Sequence, residues 1–275
     1  MPDKSVLITG CSSGIGHHCA HGLARRGWRV FASARKPEDV ARLRDEGLEA
    51  VQLDVDDPAS IAAAVGQVLD ATGGGLYGLF NNAGFGQPGA VEDLSRDAIR
   101  AQFETNLFGL MELTNRVIPV MRAAGEGRII QNSSVLGFVA MAYRGAYNAS
   151  KYALEGLSDT LRLELRGSGI QVSLIEPGPI ESRFRANAHR RFLDHIDRAH
   201  SVHRERYAAI EKKLLTEGPV VPFTQGPEAV LKRLIHALES PRPKPRYYVT
   251  QPTYLFGILK RVLPARTLDR ILGMI

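Results

Sequence analysis

The apolar run SVLIT, residues 5–9, passes without a break into TGCSSGIG, residues 9–16, and then into a stretch of helical period. A strand that ends in closely spaced glycines and turns at once into a helix brings bare backbone N–H groups and the positive end of a helix dipole to one point. Gly10, Gly14 and Gly16 let the main chain approach a pyrophosphate closely. Their spacing is G-x-x-x-G-x-G, different from the commoner G-x-G-x-x-G of dinucleotide sites. Taken alone, the turn also admits a reading as tight packing. Between a strand and a helix it predicts a phosphate cradle.

The rest of the chain repeats this rhythm. WRVFASA, LEAVQLD, LYGLFNN, GRIIQNSS and IQVSLIEPG read as strands, and segments of helical period fall at about 15–26, 58–71, 96–124 and 145–167. Such alternation needs crossover connections. The expected fold class is α/β, a Rossmann-type doubly wound parallel sheet with helices on both faces and ligands bound beyond the carboxyl ends of the strands. With 44% hydrophobic content in 275 residues, one catalytic domain spanning 1–275 is expected.

The rhythm breaks after Pro177 for about fifty residues. Residues 181–225 read as a helical insertion in which Phe184, Phe192, Ile196, Tyr207, Ile210 and Leu214 form an apolar stripe among arginines. Either this stripe meets a lipophilic substrate as a lid, or it merely covers the core. GPEAVLKRLIHAL and RYYVTQ then supply a last helix and strand. The tail over about 252–275 mixes Leu, Ile and Val with Lys260, Arg261, Arg266 and Arg270, too interrupted to span a bilayer. It suits a membrane interface, a neighbouring subunit or the lid.

Thirty-five Lys and Arg against 29 Asp and Glu give a diffuse formal charge of +6, which predicts no nucleic-acid site but suits an anionic cofactor or a membrane surface. Cys11 and Cys19 lack a C-x-x-C spacing, and MPDKSVLITG lacks the pattern of a secretory leader. A reduced, cytoplasmic protein is expected. His17, His18 and His21 on the first helix read as packing or surface residues, none of the histidines falls in a metal spacing, and no metal is expected.

The second strand ends in FASARK. An NAD site carries an acidic residue there, about 20 residues beyond the glycines, to hold the ribose 2′-hydroxyl. Here Ala34 is followed by Arg35, whose guanidinium matches a 2′-phosphate, so the cofactor reads as NADP(H). In AYNASKYALEGL, residues 146–157, Tyr147 and Lys151 stand four apart and share a helix face. Two unit charges about 6 Å apart at an effective dielectric near 20 interact by about 3 kcal/mol, enough to bring a phenol from about 10 to near 8. A phenol near 8 is a usable acid-base group.

TGCSSGIG, NNAG at 81–84, Asn106, NSSVLG at 132–137, YNASK and PGPI at 177–180 occur in this order, and together they resemble the short-chain dehydrogenase/reductase family over residues 5 to about 182. TGCSSGIG with SARK and the long insertion is similar to the hydroxysteroid and retinol dehydrogenase branch and its bacterial relatives. The resemblance implies that Ser12, Ser13 and Ile15 join the glycines at the cofactor phosphates and Arg35 takes the 2′-phosphate. It puts Asp54 and Val55 at the adenine, Asn82, Ala83 and Gly84 near the ribose, and Pro177, Gly178, Ile180 and Ser182 over the nicotinamide. Ser182 stands where the family usually has threonine and keeps the hydroxyl.

The family's catalytic serine precedes its tyrosine by 13 residues, which selects Ser134 over Ser133. The resemblance implies Tyr147 as general acid/base, Lys151 also holding the nicotinamide ribose, and Asn106 keeping a proton-relaying water. Singly, Asn106 reads equally as a helix cap or kink, and the serines as strand-end hydrogen bonders. The implied activity is NADP(H)-dependent transfer of hydride to or from a ketone, aldehyde or alcohol of steroid or retinoid character, by a homodimer or homotetramer. A redox-sensing NADP-binding protein without turnover and a nucleotide-sugar epimerase or dehydratase are the alternatives.

Overall fold

The structure, a computed structural model, describes residues 5–274; the reading of the first four residues as free of a leader, and of residue 275 as part of the tail, lies outside the described residues. The strands are β1 (Ser5–Ile8), β2 (Arg29–Ala34), β3 (Glu49–Gln52), β4 (Gly78–Asn81), β5 (Gly127–Asn132), β6 (Ile170–Glu176) and β7 (Arg246–Tyr248). They form one sheet in the order β3-β2-β1-β4-β5-β6-β7, and every neighbouring pair is parallel. All carboxyl ends therefore share one edge. The order reverses between β1 and β4, which opens the crevice in which such sheets bind ligands.

The helices are α1 (Gly14–Ala24), α2 (Pro37–Asp45), α3 (Pro58–Thr72), α4 (Arg96–Phe103), α5 (Gly109–Ala124), α6 (Gly145–Glu164), α7 (Phe184–His195), α8 (Arg204–Leu215), α9 (Glu228–Glu239), α10 (Gln251–Val262) and α11 (Ala265–Leu272). Successive strand residues face opposite ways, so each strand feeds two cores. In β1, Val6 and Ile8 pack with Ala20 and Leu23 of α1, Leu43 of α2 and Leu234 of α9. Leu7 points the other way, to Ile61 of α3, Leu113 of α5 and Leu161 of α6. Burial on both faces is why the strands are near-continuous apolar runs.

The seven expected strands are all present. Helix α2 was not read from the sequence, because only Val40 and Leu43 of its nine residues are buried apolar positions and the period is faint. Its signals were Pro37 at the first turn with Glu38 and Asp39 beside it. The expected single helix over 96–124 is broken by a π-turn at Glu104–Phe108, which carries the buried Asn106.

The insertion is helical, as expected, but its apolar stripe is mostly occupied. Phe192, Ile196 and Tyr207 are buried with Ala90, and Ile210 and Leu214 close a small core that also takes in Leu94 and Tyr143. The Tyr207 hydroxyl donates to Asp93 and accepts from the Ala90 N–H at 3.0 Å, pinning α8 to the loop after β4. Of the six stripe residues, Phe184 alone reaches Tyr147; five serve packing.

The tail departs from expectation too. Phe256, Leu259, Ile271 and Leu272 pack on Val135, Leu136 and Val139 in the loop after β5. Its inner face covers that loop rather than the lid, while Leu255, Ile258 and Val262 face outward. No helix among the described residues is long and apolar enough to cross a membrane. Cys11 and Cys19 are buried free thiols.

Candidate active site

The turn from β1 into α1 leaves a helix end open. Ser13, at the cap position, is extended and its side chain makes no capping hydrogen bond, and no acidic side chain stands in the first turn. The first N–H groups and the positive dipole end are thus available to an anion. Gly14 has φ +59°, and a Cβ there would stand 3.0 Å from the Ser182 Cβ. A Cβ at Gly16 would lie 2.4 Å from the Gly10 carbonyl oxygen. Neither position tolerates a side chain, and the cradle fits a dinucleotide pyrophosphate. Ser12 and Ile15 lie in the same turn, with the Ser12 carbonyl accepting from Arg42 at 2.8 Å.

The neighbouring strand end is tied to this turn. Thr9 Oγ1 accepts from the backbone N–H groups of Asn82 (2.9 Å) and Ala83 (2.8 Å), and Asn82 Nδ2 donates to the Thr9 carbonyl at 2.9 Å. Asn132 Nδ2 donates to Asn82 Oδ1 at 2.9 Å, and Lys151 Nζ donates to the Asn132 carbonyl at 2.7 Å. The phosphate turn and the buried lysine are two ends of one hydrogen-bonded chain across β1, β4 and β5. Gly84 lies between Asn106 and Lys151. Sequence reasoning missed Thr9 and Asn132 as members of this chain. A hydroxyl or amide at the carboxyl end of an apolar strand was the available signal.

Tyr147 and Lys151 share a face of α6, with Lys151 Nζ 5.8 Å from the centre of the phenol ring. Ser134 opens the short turn after β5, and its Oγ accepts from the Leu136 N–H at 3.1 Å. The expected electrostatics do not hold in this structure. Burial pushes the Tyr147 phenol up from its ordinary value, and a hydrogen bond with Ser134 and the Arg144 guanidinium only partly offset it. The ammonium expected to lower that phenol is itself discouraged, because burial brings Lys151 down to about 8. Desolvation dominates at both groups, and what offsets it is Ser134 and Arg144 at the phenol and Glu155 at the lysine, not the pair's own attraction. Ser133, the serine set aside by spacing, turns toward Glu155 instead.

Asn106 is fully buried and holds the strand-end loop rather than capping its helix. Its Oδ1 accepts from the Phe85 N–H at 3.0 Å, and its Nδ2 donates to the Phe85 carbonyl (3.0 Å) and Ser150 Oγ (3.1 Å). These bonds use both amide donors and leave one lone pair of Oδ1 open.

Pro177 accepts from the Val135 N–H at 2.8 Å, which ties the end of β6 to the Ser134 turn. Beyond it Gly178 lies against Thr250, and Ile180 pairs with Gln225 in an isolated bridge. At the far end of the crevice Arg35 is exposed just past β2. Asp54 is half-buried with Oδ1 accepting from the Asp56 N–H, and Val55 is buried beside it. Phe184, first residue of α7, stands edge-on to Tyr147 with ring centres 5.4 Å apart.

A charged cluster beneath Lys151 was also missed. Arg246 of β7 donates to Glu155 Oε2 at 2.7 Å and to Asp159 Oδ2 at 2.6 Å, and lies 3.5 Å from Glu176 Oε1. Burial and the neighbouring Glu155 carboxylate push Glu176 well above the usual carboxylate range, which favours a proton on this pair. A glutamate closing the apolar strand IQVSLIE was the sign of it.

Comparison with known proteins adds to this geometry. The sequence profile of the short chain dehydrogenase family matches residues 4–191. An uncharacterized oxidoreductase of Escherichia coli K12, YbbO, is 48% identical over 269 residues, covering 98% of this chain and 94% of that one. Human 17-beta-hydroxysteroid dehydrogenase type 1 is 36% identical over 267 residues, covering 91% of this chain and 79% of that protein. Among solved structures, a short chain dehydrogenase/reductase from Burkholderia phymatum in complex with NAD superposes with a TM-score of 0.78 at 27% identity, covering 98% of this chain and 95% of that one.

Proposed function

This chain belongs to the short-chain dehydrogenase/reductase family, and we propose that it transfers hydride between NADP(H) and the carbonyl or alcohol carbon of a lipophilic small molecule. Membership makes it an oxidoreductase with a nicotinamide cofactor, related to the hydroxysteroid and retinol dehydrogenase branch. The observation that carries the proposal is the meeting of the Ser134 and Tyr147 hydroxyls with the buried Lys151 at the carboxyl edge, one hydrogen-bonded chain away from the phosphate cradle.

When bound, the cofactor supplies or accepts the hydride. Tyr147 gives its proton to the oxygen of the carbonyl being reduced and recovers it in the opposite direction. Ser134 donates a hydrogen bond to the same oxygen and fixes its place. Lys151, held by Asn132, keeps a positive charge near the phenol as the proton leaves it. Asn106 braces the loop at Phe85 that borders this group.

Arg35 supports NADP(H) over NAD, because no acidic residue stands at the end of β2 to repel a 2′-phosphate. The Burkholderia phymatum relative holds NAD, so the choice rests on this residue alone. Apolar walls support a lipophilic substrate: Tyr147 lies between Phe184 and a cluster containing Val135, Val139, Met141 and Phe256. The position of Phe184 also supports a lid role for the insertion.

The outward Leu255, Ile258 and Val262 with Lys260 and Arg261 support peripheral membrane contact, which equal pelleting with anionic vesicles of the full chain and a chain ending at Thr250 would disprove. Exposed Phe108, Leu157 and Leu163 support self-association, to be read by light scattering.

The reading is tested with Tyr147→Phe against a panel of ketones, aldehydes, steroids and retinoids. NADPH oxidation should be lost for every substrate while NADPH affinity stays nearly unchanged; retained turnover refutes the assigned role.

A further inference from the structure

His17 and His21 stand one turn apart on α1, and both reach Glu46, the residue that follows α2. Their Nε2 atoms lie 2.7 and 2.8 Å from the same carboxylate oxygen, Oε2. The rings are 4.6 Å apart, edge to face. The three donor atoms lie within 4.8 Å of one another, and among the described residues no other three His, Cys, Asp or Glu side chains gather in this way. None of these side chains belongs to the hydride-transfer site.

We propose that His17, His21 and Glu46 form a binding site for a divalent first-row cation of the zinc type. Two imidazole nitrogens and one carboxylate oxygen are a borderline donor set that suits Zn2+ and its neighbours better than Mg2+ or Ca2+. A tetrahedral cation held at about 2.0 to 2.1 Å has ligand-to-ligand edges of about 3.3 to 3.4 Å. The two observed N···O edges, 2.7 and 2.8 Å, need to open by roughly half an ångström to accept it, within reach of rotation of part-exposed side chains. The side chains are 32%, 23% and 29% exposed, so the site is open to solvent and water can complete the coordination.

The groups are prepared for a cation. Both imidazoles already aim Nε2 at one oxygen of the Glu46 carboxylate. To ligate a cation each imidazole offers its Nε2 lone pair with its proton on Nδ1; where the proton starts on Nε2, that N–H bond breaks, an Nδ1–H bond forms through solvent exchange, and no electron is transferred. The second carboxylate oxygen, Oε1, accepts from Arg42 at 3.0 Å, and Arg42 is itself fixed by Asp39 (2.9 Å) and the Ser12 carbonyl (2.8 Å). Such outer partners orient a ligating carboxylate. The histidines show no metal spacing along the sequence, from which no metal is expected. The third donor is 25 residues beyond His21 and arrives only through the docking of α2.

The test is calorimetric titration of the untagged full chain with Zn2+, alongside its thermal unfolding. The expected result is one equivalent bound and an unfolding temperature that rises with Zn2+. His21→Ala and Glu46→Gln should each weaken binding by at least roughly 10- to 100-fold, the cost of losing even an outer partner of a ligand, and remove the thermal shift. His18→Ala, the adjacent ring outside the cluster, should leave both unchanged. Far-ultraviolet circular dichroism confirms that each variant is folded. Absence of one-equivalent binding in the parent chain, or equal Zn2+ affinity in folded His21→Ala, overturns the site.

Discussion

Lys151 donates to the main-chain carbonyl of Asn132 at 2.7 Å, so the amine is fixed by the end of β5 and not by the phenol one turn away. Burial then sets its protonation, lowering it from 10.5 to about 8. The sign follows from proton counting. In the unfolded chain the lysine keeps its proton up to about 10.5, whereas in the folded chain it is lost near 8, so the unfolded state binds more protons between these values and stability rises with pH there. Below 8 both states are charged and the burial penalty is fully present. Lys151→Met should lack this rise: between pH 8 and 10 its denaturation midpoint should fall behind that of the parent by about 1.4 kcal/mol per pH unit. Parallel pH profiles would show that the amine is not desolvated. The variant should also be inactive at every pH.

Arg246 holds Glu155 and the part-exposed Asp159 and sits near Glu176, compensating two buried carboxylates, Glu155 and Glu176. Arg246→Met removes the cation and leaves the acids. Breaking a buried pair from one side costs about 3 to 5 kcal/mol, and the expected loss lies toward the lower figure because Arg246 and Asp159 are part-exposed and burial already favours a proton on Glu176. Burial raises Glu155, so its folded form takes up a proton as pH falls, and the gap to the parent should narrow between pH 7.5 and 5. Urea midpoints at both pH values measure this. A gap that widens toward pH 5 would contradict it.

Both features show where sequence was informative. The central strands were legible because they are buried on both faces and so are largely apolar, as in VLI of β1 and VFA of β2; the edge strands β3 and β7 keep short apolar centres. Tyr147 and Lys151 were legible because helical spacing fixes their common face. Their protonation was not, since desolvation depends on what α7, the Ser134 turn and β5 bring around them. Arg246, Glu155 and Glu176 come from three elements, and no local pattern links them. Spacing also gave no hint that Phe192, Ile196 and Tyr207 would close a core of their own with Ala90. Their periodicity would look the same against a substrate.

Arg35 stands exposed at the end of β2, with no acidic residue beside it in sequence. If its guanidinium pairs with a 2′-phosphate, Arg35→Ala should lose a charge-assisted contact of about 1.5 to 3 kcal/mol, roughly a 10- to 100-fold rise in the Kd for NADPH. NADH, which lacks that phosphate, should bind nearly as before. Kd values for both cofactors on both chains decide it, and an equal loss for NADH would place Arg35 elsewhere in the site.

Phe184 is the one stripe residue of the insertion that meets the tyrosine ring, edge-on at 5.4 Å. Phe184→Ala opens the apolar wall without touching the hydroxyl groups. An aromatic pair contributes about 0.5 to 1.5 kcal/mol beyond its buried area, and the lost apolar surface adds to this for a substrate that would have covered it. KM for bulky apolar carbonyls should therefore rise by roughly 10-fold, while KM for a small water-soluble aldehyde changes little and kcat falls less than either. Steady-state kinetics on a steroid ketone and a short aldehyde, run side by side, measure the split. If both KM values rise together, the ring positions Tyr147 rather than substrate, and the insertion does not act as a lid.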